Sequence, residues 1–195
     1  MQIIAIGHKA RQGKTTTAHF IAGSLKGRGL IWGISDGIKV VARATEGMGI
    51  EHDKPLLQKV GLAYREDDPL VWLKAWEGTI VDQGPIDWVI VPDMRFRNEA
   101  TFFRQKGALL IKVTRIVHGV PFIAEDRPAD HPSEVDLDYW DEWDMDIRAG
   151  TLIQLKARIA VAMLTNAEHL LRPVPQHGNW PGKIEAADAS APQSD

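Results

Sequence analysis

The sequence predicts an α/β domain in which a parallel sheet is covered by helices on both faces. Three observations carry this. Short apolar runs at 2–6, 30–34, 86–92, 108–114 and 143–147 alternate with segments of helical period. The first four runs are apolar nearly throughout, as strands buried on both faces must be. The chain of 195 residues is long enough for one domain with a sizeable core plus a tail.

The elements follow in order. Residues 2–6 (QIIAI) form a strand and 7–13 a glycine-containing loop. A helix runs from about Lys14 to Lys26, with Ala18, Ile21, Ala22 and Leu25 on one face. Gly27 and Gly29 stop it, and LIWGI (30–34) is the second strand. Helices then occupy about 36–48, 54–65 and 69–82, before Gly84-Pro85 breaks the chain ahead of the strand at 86–92. Residues 97–106 are helical, Gly107 ends them, and 108–114 (ALLIKVT) is a strand. Residues 115–132 read as loop. Ser133 opens a short acidic segment, 143–147 is the last strand and 151–168 the last helix. The domain is thus expected over 1–171, with 172–195, rich in Pro, Ala, Ser and Asp, a disordered or loosely draped tail.

Composition narrows the function. With no cysteine there is neither a disulfide framework nor a thiolate metal site, and no apolar run is long enough to span a membrane. A soluble cytoplasmic protein is expected, with no membrane partner and a homodimer left open. Residues 1–65 carry ten Lys and Arg against four acids, the rest 13 against 22. That asymmetry suits an anionic ligand held at one place, or is chance clustering on a solvated surface.

The first motif is Gly7-His-Lys-Ala-Arg-Gln-Gly13-Lys14-Thr15, between a strand and a helix. Glycines let backbone approach phosphate oxygens, amides at a helix start face the anion, a lysine reaches the β- and γ-phosphates, and a hydroxyl holds Mg²⁺. This is a phosphate-binding P-loop of altered form: His8 stands where the first glycine belongs, so the loop carries one extra residue. The alternative is an ordinary strand–helix turn with an exposed lysine. Gly7, Lys9, Arg11, Gln12, Gly13, Lys14, Thr15 and Thr16 are the nucleotide-binding candidates.

The second motif is a strand ending in Pro92-Asp93. An aspartate there holds Mg²⁺ beside the loop threonine, or caps the following turn. Arg95 and Arg97 follow, at the carboxyl end of the strands, where such sheets bind ligands.

With these pieces placed, the sequence resembles the bacteriophage deoxynucleoside monophosphate kinases of the P-loop nucleoside monophosphate kinase group. The resemblance rests on GHKARQGKTTTA, ISDGIKVVA, KPLLQKVGLAYREDDPLVWLK, VPDMRFRNEA with KGALLIKVTR, and HPSEVDLD with IRAGTLIQL. It implies a three-layer P-loop kinase fold with a five-stranded parallel sheet, acceptor-binding helices over 37–82 and a lid over 115–132. Gly13, Lys14 and Thr15 would hold ATP and Mg²⁺, with Asp93 the second group on the Mg²⁺ side. Asp36, Lys39, Gln58, Arg65 and Arg95 would line the acceptor site, and Arg115 and Arg127 would close over the transferred phosphoryl. The sequence departs from the pattern at the loop, at Thr15, where aspartate is frequent, and at Arg97, where proline is common.

The resemblance implies a phosphotransferase that makes a deoxynucleoside diphosphate for phage DNA synthesis. Transfer to a nucleotide phosphate needs a cation clamp, which Lys39, Arg65 and Arg95 could form, and no strong base. The alternative acceptor is the hydroxymethyl group of 5-hydroxymethyluracil in DNA, whose hydroxyl must lose a proton. Asp36 could serve as that base, or simply cap the helix that follows it. A third reading is a non-catalytic nucleotide-binding module. Trp72, four residues from Trp76, is a core stripe first and a base-stacking wall second. The six acids of 136–146 form a solvated face or a cation site, and would repel DNA nearby. His118 and His131 are structural or surface residues before they are metal ligands, and Ser133-x-x-Asp136 reads as a helix cap.

Overall fold

The structure is a computed structural model that describes residues 1–47, 53–125 and 128–166. Its elements are β1 (Gln2–Gly7), α1 (Lys14–Ala22), β2 (Gly29–Ile31), α2 (Ile34–Glu46), α3 (Lys54–Asp67), α4 (Val71–Asp82), β3 (Trp88–Met94) and α5 (Arg97–Gln105). There follow β4 (Leu109–Val117), β5 (Val120–Pro121), the short α6 (Pro132–Val135), a 3₁₀ turn (Asp136–Tyr139), β6 (Met145–Ala149) and α7 (Leu152–Thr165). Five strands run parallel in the order β2-β3-β1-β4-β6, and β5 returns antiparallel along β4.

Alternation along β1 builds the two cores. Ile3 and Ala5 face α2, α4 and α5, packing with Ile38, Trp72, Trp76 and Phe103. Ile4 and Ile6 face the opposite way, onto Ala18 and Ile21 of α1 and Leu155 and Ile159 of α7. Each fully buried aliphatic side chain contributes about 1.5–3 kcal/mol, so this central strand anchors both layers. Trp76 meets Phe103 edge-on at 5.0 Å, and its indole N–H donates to the Trp32 carbonyl at 3.0 Å.

The topology opens a crevice at the carboxyl ends of β1 and β3. Chain leaving β1 enters α1 on one face, while chain leaving β3 enters α5 on the other, so the two exits diverge. The β1–β3 register also slips there, from Ala5 opposite Val91 to Gly7 opposite Met94. Pro92, which has no N–H to give the ladder, lies within the slip.

Several expectations are corrected. Residues 115–132 are not all loop: β4 continues to Val117 and turns back through His118 (φ 50°) and Gly119 (φ 83°) into β5. Two successive residues at positive φ are what a two-residue hairpin turn demands. The second strand stops at Ile31 and α2 begins at Ile34, while α1 ends at Ala22. His131, not Ser133, caps α6, its Nδ1 accepting from the Ser133 amide at 3.2 Å. The tail lies outside the described residues, as does Arg127. Among the described residues no helix is long and apolar enough to cross a membrane.

Candidate functional site

The loop between β1 and α1 is held from several sides. Gly13, at φ +93°, is the N-cap of α1, a conformation that a side chain would strain. It offers no side-chain cap, and the first turn of α1 carries no acid, so the helix start offers its N–H groups and positive dipole end to an anion. Lys14 is buried rather than exposed. Its ammonium folds back over the loop, donating to the His8 carbonyl at 2.9 Å and to that of Lys9. Thr15 is exposed in the first helical turn and Thr16 is half-buried. Gln12 ties the loop to the hairpin: its Nε2 donates to the Phe122 carbonyl at 2.8 Å, and its Oε1 accepts from the Arg115 amide at 2.5 Å.

His8 takes φ +99° without being glycine, and Arg11 takes +56°. Such conformations persist only where surroundings over-determine them. The His8 ring is buried, with Nδ1 3.5 Å from Thr114 Oγ1 and Nε2 3.5 Å from Asp138 Oδ1. Burial, then the charges of Lys112 and Lys9, push its pKa down to about 4, against the opposing pull of Asp138. Lys9 in turn binds Asp138 at 2.7 Å.

On the α2–α3 side a pocket opens between Ile38, Leu57, Gln58, Arg65, Arg95 and Phe96, with Asp93, Glu99 and His131 at its wall. Arg65 donates to Glu99 at 3.0 Å and to the Gly61 carbonyl at 3.2 Å, and its guanidinium lies 4.7 Å from the Phe96 ring centre. The other Glu99 oxygen accepts from the amides of Arg95 (2.7 Å) and Phe96 (3.1 Å), capping the start of α5 from its third residue. Burial pushes the Glu99 carboxyl up to about 7. Arg65 and the two amides pull it down, and neighbouring Asp93 adds to the rise. Arg95 donates to the His8 carbonyl at 3.3 Å and to Glu134 at 3.0 Å.

Asp93 accepts from the amides of Ile34 (2.9 Å) and Ser35 (2.8 Å) at the start of α2, not from the turn after β3. The approach needs Gly33, because a Cβ there would lie 2.5 Å from Asp93 Oδ2. Asp36 accepts from the Gly33 amide and from Lys39, both at 2.7 Å, so it caps α2. Gln58, Arg65, Arg95 and Asp93 therefore meet at one pocket, whereas Asp36 and Lys39 pair beside it. Trp72 stands behind it as core: it is 3% exposed, its indole N–H donates to the Gly61 carbonyl at 3.0 Å, and it packs on Tyr64.

On the other side of the loop a second pocket is lined by Arg11, Gln12, Thr16, Arg115, Gly150 and Thr151. The Arg115 guanidinium lies over the Phe122 ring at 4.7 Å. Gly7 ends β1 beneath Trp143.

The acidic run is not a free solvated face. Asp136 takes the amide (2.6 Å) and Nε (3.1 Å) of Arg97, Asp138 takes Lys9, and Asp144 takes Arg104 and the Leu110 amide. Among the described residues no three or more His, Cys, Asp or Glu side chains are grouped so that they could hold a metal ion. Glu99 and Glu134 are site residues to which the sequence reading gave no role, although both lie inside stretches that carry the resemblance, VPDMRFRNEA and HPSEVDLD.

No protein-family model matches the chain. Over 64 residues it is 39% identical to a protein of Acanthamoeba polyphaga mimivirus named "Putative deoxynucleotide monophosphate kinase". That stretch is 33% of this chain and 30% of the mimivirus protein.

Proposed function

We propose that the chain is a Mg²⁺-ATP-dependent phosphotransferase that converts a deoxynucleoside monophosphate to its diphosphate. The observation that carries this reading is the convergence of two arginines, Arg65 and Arg95, on a pocket beside a lysine-bearing phosphate loop. The mimivirus likeness points the same way.

The residues present fit the nucleotide and its metal. Lys14, Gly13 and the uncapped turn of α1 are donors for a triphosphate, and the pocket at Arg115 and Thr151 adjoins them for the nucleoside. Thr15 and Asp93 would supply oxygen to Mg²⁺, since each Asp93 oxygen keeps a second lone pair beyond its amide bond. Bound Mg²⁺ supplies neutralisation of phosphate charge.

Transfer joins an acceptor phosphate oxygen to the γ-phosphorus, breaks the bond to the β,γ-bridging oxygen and releases ADP. Arg65 and Arg95 hold the acceptor phosphate in line while Lys14 offsets charge on the donor. The attacking oxygen is already anionic, so no base is required. Two arginines at one pocket, a clamp suited to an anionic phosphate, favour a phosphate acceptor over the hydroxyl of a modified base in DNA.

The test is ADP release with Mg²⁺-ATP against a panel of deoxynucleoside monophosphates, hydroxymethyl-dUMP, and duplex DNA with and without hydroxymethyluracil. Release driven by a free monophosphate is expected. Release driven only by the modified DNA would replace this reading with the base kinase. Nucleotide binding without acceptor-driven release would replace it with a non-catalytic module.

A further inference from the structure

We infer that Glu134 is a positioning residue for phosphoryl transfer, fixing the phosphate loop and the Arg95 guanidinium in one geometry. The inference rests on the kinase reading above. Glu134 is 6% exposed, and its two oxygens serve two different walls of the crevice. Oε2 accepts from the Ala10 amide, inside the loop, at 2.8 Å, and Oε1 accepts from Arg95 at 3.0 Å. Arg95 closes the circuit by donating to the His8 carbonyl at 3.3 Å. Loop, carboxylate and guanidinium thus form one ring of contacts.

The surroundings show why such a brace is needed. His8 and Arg11 sit at positive φ on either side of Ala10, so the loop conformation must be imposed from outside. The segment that carries Glu134 is itself pinned: His131 caps α6, Asp136 holds the Arg97 amide, and Asp138 holds Lys9. Three carboxylates of one short stretch therefore land on the loop and on the turn after β3. Glu134 alone among them touches both loop backbone and a clamp arginine. A guanidinium held in this way loses little orientational freedom when an acceptor phosphate arrives.

The experiment compares wild type with Glu134→Gln and Glu134→Asp, measuring kcat, KM for each substrate, ADP affinity by calorimetry and thermal melting. Glutamine keeps an oxygen for Ala10 but removes the charge that orients Arg95. The expected result is a kcat lower by about ten- to a hundredfold, with ADP affinity changed less than about threefold. Glu134→Asp, which keeps the charge, recovers part of the lost kcat. A merely structural role would instead lower the melting temperature with kcat unchanged at assay temperature, which overturns the inference. Tighter ADP binding with undiminished kcat in Glu134→Gln also overturns it, since the carboxylate would then be an anion surrogate that the nucleotide displaces. Wild type without turnover on any acceptor overturns the kinase reading, and with it this role; active wild type with an unchanged glutamine variant overturns this role alone.

Discussion

The two walls of the crevice are held by different physics. In the wall proposed to hold the donor, the anion-facing groups are set locally: Gly13 supplies a left-handed cap, and Lys14 bonds carbonyls five and six residues back, while Glu134 and Gln12 brace the loop from outside. In the wall proposed to hold the acceptor, the cations themselves are set over distance by ion pairs between separate elements. Arg65 reaches Glu99 across 34 positions, and Arg95 reaches Glu134 across 39. In the first wall charge lies over backbone oxygen that phosphate can replace as partner. In the second, each cation already has a buried carboxylate, so under the proposed function an acceptor phosphate would enter a neutralised site and share its arginines.

That contrast orders the expected effects. Lys14→Ala should be the largest, lowering kcat about a thousandfold, because the donor phosphates would lose the buried ammonium held at the start of α1. Unchanged turnover would remove the phosphate-loop assignment. Arg65→Ala should raise KM for the acceptor about tenfold or more while leaving KM for ATP near its wild-type value. It should also destabilise the fold by about 2–3 kcal/mol at pH 8, because Glu99 is left buried without its guanidinium. Chemical denaturation checks the second effect, and equal stability of variant and wild type would show that the pair is not structural.

The third prediction concerns pH. His8 has a folded pKa of about 4 against 6.5, so the unfolded chain binds more protons between those values and stability rises with pH there. Glu99 has a folded pKa of about 7 against 4.5, so the folded chain binds more protons and stability falls as pH rises through that window. The two slopes oppose each other in wild type. Each is on the order of 3 kcal/mol across its window. His8→Asn, which tolerates positive φ, should expose the falling slope, and Glu99→Gln the rising one. Identical slopes in denaturation curves of all three proteins would contradict both assignments.

Asp36→Asn should be the smallest effect. Asparagine keeps an oxygen for the Gly33 amide, so kcat on a phosphate acceptor should change less than about threefold. A loss of a hundredfold would instead favour a hydroxyl acceptor with Asp36 as base.

Much of this architecture was legible in the sequence for physical reasons that differ from wall to wall. Four apolar runs marked β1 to β4, because strands covered on both faces leave little room for alternation, while the edge strand β6 alternates buried Met145, Ile147 and Ala149 with exposed Asp146 and Arg148. Gly13-Lys14-Thr15 marked the turn from β1 into α1, and under the proposed function backbone, lysine and hydroxyl stand adjacent there to hold phosphate. The β4–β5 hairpin escaped notice because its turn is His118-Gly119, a weaker signal than Asn-Gly. Asp93 was placed at the correct strand end, but its amide partners, Ile34 and Ser35, lie 59 and 58 positions away. Glu134 was legible only as one residue of HPSEVDLD, with no role attached. Its partners, Ala10 and Arg95, belong to elements that come together when the sheet forms, and no local spacing records them.

The account rests on one transfer event crossing between these walls, and the label of the γ-phosphate follows it most directly. Wild-type protein would be given γ-labelled Mg²⁺-ATP together with deoxynucleoside monophosphates and hydroxymethyluracil DNA in one reaction, with products separated and weighed. The account predicts label on the terminal phosphate of a deoxynucleoside diphosphate. Label in the DNA, or only in inorganic phosphate, would contradict it.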